Sequence, residues 1–584
     1  MSSDQRNLIL AVALSVGILL AFDWLFLQPQ QEAQRQAQLE QQQASEQPAP
    51  ADEIDAPSRP QPGVTGGAAP EQRSRAEALN DSPRINIETP RLHGSLKARG
   101  GRIDDLTLAD YYQTTKRESE VELLSPAGAP KPYYAEFGWV PAPNSQVALP
   151  GSDTLWDVSG DTLSPGQPVT KRWSNDQGLT FERTVAVDEN YMFTVTERVT
   201  NESGEPVQLY PYALVSRHGE PETLGFFIMH EGPIGVLNET LYEHGYGELA
   251  DDGRKVYDAR GGWLGITDKY WLVSVIPPQN EQVQARFLHT PATAGKRQRY
   301  QTDYLGSLRQ IAPGETAEVT HRLFAGAKEV DLLDGYSEEL GLYNFNRAVD
   351  FGMFWFMTIP FFHALDFFGN LTGNFGVAII LFTVILRLVM FPLANKSFKE
   401  LGRMKELQPQ MKALQERHAD DRERLQKELM ELYKREKVNP VSGCLPILLQ
   451  IPIFFALYKV LFVTIEMRHA PFFGWIEDLS ARDPTSLFNL FGLLPYGVPD
   501  FLQIGIWPLI MGLTMWAQQK LNPAPTDPMQ ARVMMLLPPV FTVLLASFPA
   551  GLVIYWATSN ALSIAQQWVI MRTTSKKKEA KAAS

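Results

Sequence analysis

The chain has 584 residues, of which 44% are hydrophobic and 20% are charged, an average composition that by itself is typical of an ordinary globular protein. The charge is unevenly divided. Residues 28–350 hold 29 Lys and Arg against 47 Asp and Glu, a net charge of −18, whereas the remaining residues carry +5, which gives the total of −13. The single cysteine, Cys444, excludes an intramolecular disulfide and a cysteine cluster for zinc.

The first predicted element is a membrane anchor at residues 1–27. Its apolar stretch, NLILAVALSVGILLAFDWLFL, is long enough to cross a hydrocarbon core of about 30 Å. A secretory signal peptide is the alternative, but its apolar region is usually shorter and a small-x-small cleavage site follows it. We therefore expect an uncleaved anchor. Residues 28–84 are rich in Gln, Glu, Ala, Pro and Ser, and this composition predicts a disordered polar linker.

Residues 85–342 are predicted to form an all-β sandwich domain. Short runs such as TFERTVAV and YMFTVTERVTN alternate polar and apolar side chains, and turn residues separate them. This period of two over many short segments is typical of a sandwich. A segment of this length is large enough to bury a core of its own.

Residues 343–572 have the pattern of a helical membrane core. An aromatic segment at 351–368 is interrupted by polar residues, which favours a helix lying in the membrane interface. Five transmembrane helices are predicted after it, and with the anchor they make six; the predicted spans are 377–393, 445–465, 501–516, 533–548 and 552–571. The fold class predicted is an α-helical polytopic membrane protein with a large β-sandwich domain outside the membrane.

Basic residues in the loops set the predicted orientation. Residues 396–437 carry 12 Lys and Arg, and the tail from residue 573 is also basic, so both segments are expected in the cytoplasm together with both termini. Within about 397–437, two apolar stripes at helical spacing are separated by HADD, which predicts a helical hairpin. The charges of the hairpin and of the tail at 573–584 form either a solvated surface or a docking surface for a ribosome.

Arg387 lies inside the predicted span 377–393, with Thr383 four residues earlier on the same helix face. A charge at such a depth costs at least about 2.5 kcal/mol and normally faces a bundle interior or a water-filled cavity. The other predicted spans offer no carboxylate at a comparable depth, so we favour an aqueous cavity over an internal salt bridge. Lys459, near the outer end of its span, is close enough to the surface to snorkel outward.

Three motifs make the chain resemble a known family. NPVSGCLPILLQIPIF at 439–454, DPMQ at 527–530 and FPAGLVIYWATSN at 548–560, with the arginine of the second span, resemble the YidC-type membrane protein insertases of Gram-negative bacteria, of the YidC/Oxa/Alb family. The resemblance implies a multi-pass protein of the bacterial inner membrane with a periplasmic sandwich. It also implies a chaperone for nascent membrane proteins, acting through a hydrophilic groove, alone or with the Sec translocon. The groove residues that it implies are Arg387, Thr383, Gln450, Ile451, Pro452, Tyr555 and Trp556.

The resemblance further implies ribosome contact by the basic tail, here Lys576, Lys577 and Lys578, and contact with membrane lipids. It implies no enzyme activity, catalytic residue, cofactor, metal or specific nucleic-acid sequence, and the chain has no G-x-x-x-x-G-K, H-E-x-x-H or G-x-S-x-G motif. The alternative from another class is a solute transporter with an anion site at Arg387. Inverted repeats among the spans are typical of such transporters, and the sequence shows none.

Overall fold

The computed structural model describes residues 73–582 except 144, 224–228, 294–296, 419–420, 437, 439–444, 495, 500–501 and 523–527; for 422, 445–449, 528–530 and 574–582 it describes the backbone alone. The predicted anchor at 1–27 and most of the predicted linker at 28–84 lie outside the described residues. The chain divides into two units, of which we consider the described residues. The β unit consists of Ala56–Phe362 and Tyr458–Ala470, and the helical unit of His363–Leu457 and Pro471–Ser584.

The described end of the predicted linker is folded. Helix α1, Arg75–Leu79, begins after Ser74, whose hydroxyl accepts a hydrogen bond from the Glu77 backbone N–H, while the Glu77 carboxylate accepts one from the Ser74 N–H. This reciprocal capping box satisfies two N–H groups that a short helix otherwise leaves free. The predicted disorder therefore does not apply to the described residues 73–84.

The β unit is built from twenty described strands. They are β1 Arg84–Glu88, β2 Leu92–Lys97, β3 Ile103–Tyr112, β4 Glu120–Leu124, β5 Tyr133–Pro141, β6 Asp157–Ser159, β7 Thr162–Leu163, β8 Val169–Ser174, β9 Leu179–Val187, β10 Met192–Asn201, β11 Val207–His218, β12 Gly232–Leu237, β13 Thr240–Glu243, β14 Arg254–Arg260, β15 Trp263–Thr267, β16 Trp271–Ile276, β17 Gln282–Thr290, β18 Arg299–Leu305, β19 Arg309–Ile311 and β20 Thr316–Ala327.

These strands form two sheets that enclose a common core. One sheet has the order β14-β17-β18-β11-β5-β3-β2-β1-β7, with β19 beside β11 and β4 beside β3; the other has the order β13-β12-β15-β16-β20-β10-β9-β8-β6. Trp139 and Leu209 of the first sheet pack with Phe181 and Val199 of the second. The burial of alternate residues along β9 follows the period of two read from the sequence. The predicted β-sandwich is confirmed.

The sandwich core also contains a buried ion pair. The Arg183 guanidinium donates to the Glu197 carboxylate at 2.8 Å from Nε, and Nη1 donates to the carbonyl of Gly101 at 3.0 Å. Burial alone raises the pKa of Glu197, but the charge of Arg183 and a hydrogen bond from His321 outweigh it, so the pKa is lowered. The carboxylate therefore stays charged inside the core because its partners replace its water.

The remaining described helices lie mostly in the second half of the chain. They are α2 Tyr246–Asp252, α3 Val330–Leu340, α4 Trp355–Thr372, α5 Phe375–Val389, α6 Phe391–Arg417, α7 Arg422–Arg435, α8 Leu445–Val463, α9 Ile506–Leu521, α10 Pro528–Leu545 and α11 Ala550–Ala582. Short 3₁₀ turns occur at Phe345–Ala348 and Ile465–Met467, and a kinked 3₁₀ segment at Leu487–Gly492 has non-helical backbone at its centre. Each predicted helical segment from 351 onward thus contains a helix.

The continuous span predicted at 377–393 is instead two helices. Helix α5 ends at Val389, and α6 starts at Phe391 in a direction that differs by 68°. Pro392 is the second residue of α6, a position at which the missing N–H of proline costs no helical hydrogen bond. For the same reason Pro392 cannot donate the hydrogen bond that would continue α5. Of the helices that the structure describes, none is by itself long and apolar enough to cross a membrane, whereas the bent pair α5 and α6 meets that requirement jointly.

Helices α6 and α7 pack against each other through the two predicted stripes. Leu407 and Met411 of α6 are buried against Leu429 and Leu432 of α7. The turn between them ends at Asp421, whose carboxylate accepts a hydrogen bond from the N–H of Arg424 at 3.0 Å and caps α7. The first turns of α6 pack against α11, where Phe398 lies against Ile570.

The last part of α8 belongs to the β unit, where Lys459 forms an ion pair. Its Nζ lies 2.8 Å from Oδ2 of Asp350, and the lysine is 8% exposed. The other oxygen of Asp350 accepts a hydrogen bond from the N–H of Gly352 at 2.9 Å. The structure thus gives the ammonium a carboxylate partner that is distant in the sequence, and outward snorkelling of Lys459 stays a prediction.

Two further contacts attach the residues after α8 to the β unit. Glu466 accepts a hydrogen bond at 3.2 Å from the N–H of Val330, the first residue of α3. Arg468 donates to the carbonyl oxygen of Tyr112 at 2.6 Å. A carboxylate at a helix N-terminus is favoured by the helix dipole, so Glu466 stabilises the start of α3.

We predict that Asp350→Asn destabilises the full-length protein by about 1–3 kcal/mol, because it removes the carboxylate charge from a nearly buried ammonium. Thermal unfolding of the full chain in detergent measures the effect. The exposed Asp157 provides the control, since Asp157→Asn is expected to change the unfolding temperature little. The double variant Asp350→Asn, Lys459→Met should recover much of the loss, and unfolding of Asp350→Asn at the original temperature contradicts the prediction.

Candidate functional site

Arg387 lies in the last turn of α5 and is bound by a neutral group. Its Nε donates a hydrogen bond to Oγ of Ser559 on α11 at 3.1 Å, and its Nη2 donates to the same oxygen. None of the carboxylates that the structure describes lies within ion-pair distance of it. A guanidinium has five N–H donors and cannot lose its charge in a protein, so most of its donor capacity is left for water or another ligand.

A second hydrogen bond lies one helical turn along α11. Gln450 of α8 donates from Nε2 to the hydroxyl of Tyr555 at 2.5 Å. Tyr555 and Ser559 are four residues apart and therefore lie on the same face of α11. We call Arg387, Gln450, Tyr555 and Ser559 the polar row, because they join helices α5, α8 and α11 through side-chain hydrogen bonds.

Thr383 is separated from the exposed surface. Its side chain is fully buried, and its hydroxyl donates to the carbonyl of Ile379 in its own helix at 2.6 Å. A threonine in this arrangement satisfies its hydrogen bond locally. The structure therefore places Thr383 in the same helix as Arg387 but inside the bundle.

The other predicted groove residues divide between exposed and packed positions. Ile451 is 47% exposed, and Pro452 is partly exposed, one and two residues after Gln450. Trp556 is next to Tyr555, but its ring packs against Phe454 with the centroids 4.8 Å apart. The predicted Tyr555/Trp556 pair thus has one member in the polar row and one among apolar side chains.

Further polar side chains of α11 lie inside the helical unit. Asn560 donates to the hydroxyl of Thr514 on α9 at 3.3 Å, and Ser563 donates to the carbonyl of Ser559 at 2.8 Å. Ser559 is the important residue that the predicted groove set omits. Its spacing of four residues from Tyr555 places it on the same helix face, but this spacing alone does not identify it as the partner of Arg387.

The tail lysines and any metal site cannot be placed relative to the polar row. Helix α11 continues to Ala582, but the side chains of Lys576, Lys577 and Lys578 are outside the described residues. In the described part of the chain, no three His, Cys, Asp or Glu side chains are close enough to hold a metal ion. The arrangement provides hydrogen-bond donors and a positive charge and offers no nucleophile with an adjacent base.

Comparisons with known proteins identify both halves of the chain. Residues 84–364 match the family model described as the YidC periplasmic domain, and residues 367–578 match that of the 60Kd inner membrane protein. The membrane protein insertase YidC of Methylorubrum extorquens (strain PA1) is 50% identical to this chain, and the match covers 99% of this chain and 97% of the relative's length.

A second relative and a solved structure were also found. The membrane protein insertase YidC of Bradyrhizobium diazoefficiens is 48% identical and covers 99% of this chain and 98% of its own length. A crystal structure of an active YidC insertase with its first transmembrane domain resolved is 17% identical, with a TM-score of 0.35, over 85% of this chain and 94% of that one. By its two matching models and its full-length relatives, the chain belongs to the YidC family of membrane protein insertases.

Proposed function

We propose that this inner-membrane protein accepts nascent inner-membrane proteins at the polar row and releases them into the bilayer, as an insertase and chaperone without enzyme activity. The observation that carries the proposal is the bond between Arg387 and the neutral Ser559, with no carboxylate near it among the described residues. A charge placed among membrane helices without a counter-charge costs about 2.5–3.5 kcal/mol. Contact with water or a polar substrate offsets that cost.

The physical effect of the polar row is to shorten the apolar distance that a substrate crosses. A polar segment that enters the hydrocarbon core loses its hydrogen bonds to water, and each unsatisfied group costs several kcal/mol. Gln450, Tyr555 and Ser559 supply neutral hydrogen-bonding groups, and Arg387 supplies charge-assisted donors for acidic side chains. Ile451 and Pro452 offer adjacent apolar surface for a substrate helix, while Thr383 and Trp556 shape the helices that carry the row.

The proposed topology has six transmembrane helices, of which five form the core bundle and one is the anchor at 1–27. The bent pair α5 and α6 and the shorter apolar helices within α8 and α10 support three of the five, and α9 and α11 are assigned from the predicted spans 501–516 and 552–571. Helix α4 is assigned to the membrane interface, and the paired helices α6 and α7 to a cytoplasmic hairpin. Both termini are cytoplasmic, in keeping with the basic residues at 396–437 and 573–584.

The proposed partners follow from charge and family. The hairpin and the tail with Lys576, Lys577 and Lys578 dock a translating ribosome, whose RNA phosphates attract basic side chains. The protein is proposed to act alone or with the Sec translocon. Membrane lipids are proposed to surround the helical unit. The alternative of a solute transporter has no support from the family models or the relatives.

We predict that Arg387→Ala reduces the insertion of substrates with acidic translocated tails about tenfold more than that of matched neutral ones. A charge-assisted hydrogen bond contributes about 1.5–3 kcal/mol, and 1.4 kcal/mol corresponds to a factor of ten. Arg387→Lys retains the charge and should retain much of the activity. The measurement is the insertion of in vitro translated substrate pairs into proteoliposomes containing equal amounts of each variant.

The control for this experiment is Leu388→Ala. Leu388 is 64% exposed and apolar, so its truncation on the same helix changes no charge. It should affect acidic and neutral tails equally. An equal loss for both tails with Arg387→Ala contradicts the electrostatic role, and full activity with alanine contradicts any role of Arg387 in insertion.

We also predict that ribosome binding depends on Lys576, Lys577 and Lys578. Replacing all three by glutamine should weaken co-sedimentation with ribosomes and make binding less sensitive to salt, with the slope falling by about one per lost phosphate contact. The control is the same number of glutamines at Lys116, Arg117 and Lys131 of the sandwich, which are proposed to face the periplasm. Unchanged binding and an unchanged salt slope would show that the tail charges are only a solvated surface.

A further inference from the structure

An apolar loop precedes α9 in the helical unit. We define it as residues 486–494 with Tyr496. The sequence from 484 to 499 has no charged side chain. Large apolar side chains of the loop are 40–82% exposed, with Leu493 at the upper limit; they are Leu487, Phe488, Leu490, Phe491, Leu493, Leu494 and Tyr496. Such a concentration of exposed apolar side chains indicates an interaction surface.

The apolar loop is held in shape by its own hydrogen bonds. The N–H of Phe491 donates to the carbonyl of Ser486 at 2.7 Å, and that of Leu494 donates to the carbonyl of Asn489 at 3.1 Å. The side chain of Asn489 accepts from the N–H of Gly492 at 3.0 Å. The Tyr496 hydroxyl donates to the carbonyl of Phe488. These backbone groups are therefore satisfied without water.

The base of the loop is fixed to the start of α9. The N–H of Leu487 donates to the carbonyl of Ile504 at 2.9 Å. Asp483, which is 1% exposed, accepts hydrogen bonds from the N–H of Trp507 at 2.9 Å and from the indole of Trp475 at 3.1 Å. A carboxylate at this helix N-terminus interacts favourably with the helix dipole. The base of the loop is thus hydrogen-bonded to Ile504, and Asp483 is hydrogen-bonded to the first turn of α9.

The backbone at the tip of the loop is unfavourable by itself. Leu490 and Phe491 have φ angles of 52° and 59°, in the left-handed region. Each such residue without a glycine costs roughly 1–2 kcal/mol. Here the conformation directs two large apolar side chains into the surroundings, where they are 51% and 41% exposed. A conformation of this kind is stabilised when an apolar environment receives those side chains.

We propose that the apolar loop inserts into the headgroup and upper acyl region of the lipid bilayer. Three observations favour lipid as the occupant: the run without charges, the internal hydrogen bonds of the loop, and the hydrogen-bonded base that precedes α9, whose Leu513 and Trp516 are also 64% and 51% exposed. Irregular backbone reaches lipid only where its polar groups are bonded internally. Aromatic residues such as Phe488, Phe491 and Tyr496 suit the interface. With the proposed topology the loop lies in the outer leaflet; this choice of leaflet rests on the proposed function, but lipid contact itself does not.

The test uses a fluorescent probe on single cysteines of the full-length protein. In a Cys444→Ser background, Leu490→Cys and, separately, Ser119→Cys carry the environment-sensitive label NBD. Ser119 is an exposed residue of the β unit and is the control. The proteins are reconstituted at low density in phosphatidylcholine/phosphatidylglycerol vesicles, so that no other protein is present. Doxyl groups at acyl positions 5 and 12 report depth, and iodide reports exposure to water.

At position 490 we expect a blue-shifted emission, at least threefold weaker quenching by iodide than at position 119, and stronger quenching by 5-doxyl than by 12-doxyl lipid. Iodide quenching at 490 equal to that at 119 overturns the proposal. Protection from iodide without doxyl quenching also overturns it, because the loop is then covered by the chain itself or by a second copy. Protection that occurs only after addition of purified translocon favours a protein partner instead. A second label at Leu493→Cys must give the same pattern, which guards against a local disturbance at position 490.

Discussion

The hydrogen bond between Arg387 and Ser559 is the interaction on which this account depends. It joins a permanent charge to a neutral hydroxyl among helices whose outer faces are apolar. An ion pair would have neutralised the guanidinium and used its donors. With a hydroxyl as its partner, the charge retains free donor capacity, and Tyr555 and Gln450 extend the polar row along α11 and α8, where Tyr555 is buried and Gln450 is partly exposed. We propose that the insertion of membrane proteins uses these polar groups, and it needs no covalent chemistry.

Much of this architecture could be predicted from the sequence where a simple period governs the structure. The alternation along β9 predicts the sandwich because one face of each strand is buried. The stripes around Leu407 and Leu429 predict that α6 and α7 pack together. Arg387 is conspicuous because a charge is rare in an apolar run. In each case a local pattern is enough, since the determining neighbours are close in the sequence.

The features that the sequence did not predict depend on contacts between residues distant in the chain. Nothing near Lys459 indicates that Asp350 meets it, and the alternative of snorkelling rested on position alone. Ser559 is one of several small polar residues in its helix, and only the fold selects it as the partner of Arg387. The bend at Met390 is different, because Pro392 gave a local signal for it: a proline cannot donate to the helix that precedes it.

The most direct test of the central claim is whether water reaches the partner of Arg387. Ser559 is 3% exposed and Leu388 is 64% exposed, so faster labelling at position 559 requires water to reach the polar row and does not follow from surface exposure. In a Cys444→Ser background, Ser559→Cys and the exposed apolar control Leu388→Cys are treated with a membrane-impermeant maleimide in inverted inner-membrane vesicles. The account predicts labelling at position 559, made slower by an arrested nascent substrate, and little labelling at position 388. Failure to label position 559, with normal labelling after the vesicles are dissolved in detergent, would show that the polar row is dry and would contradict the account.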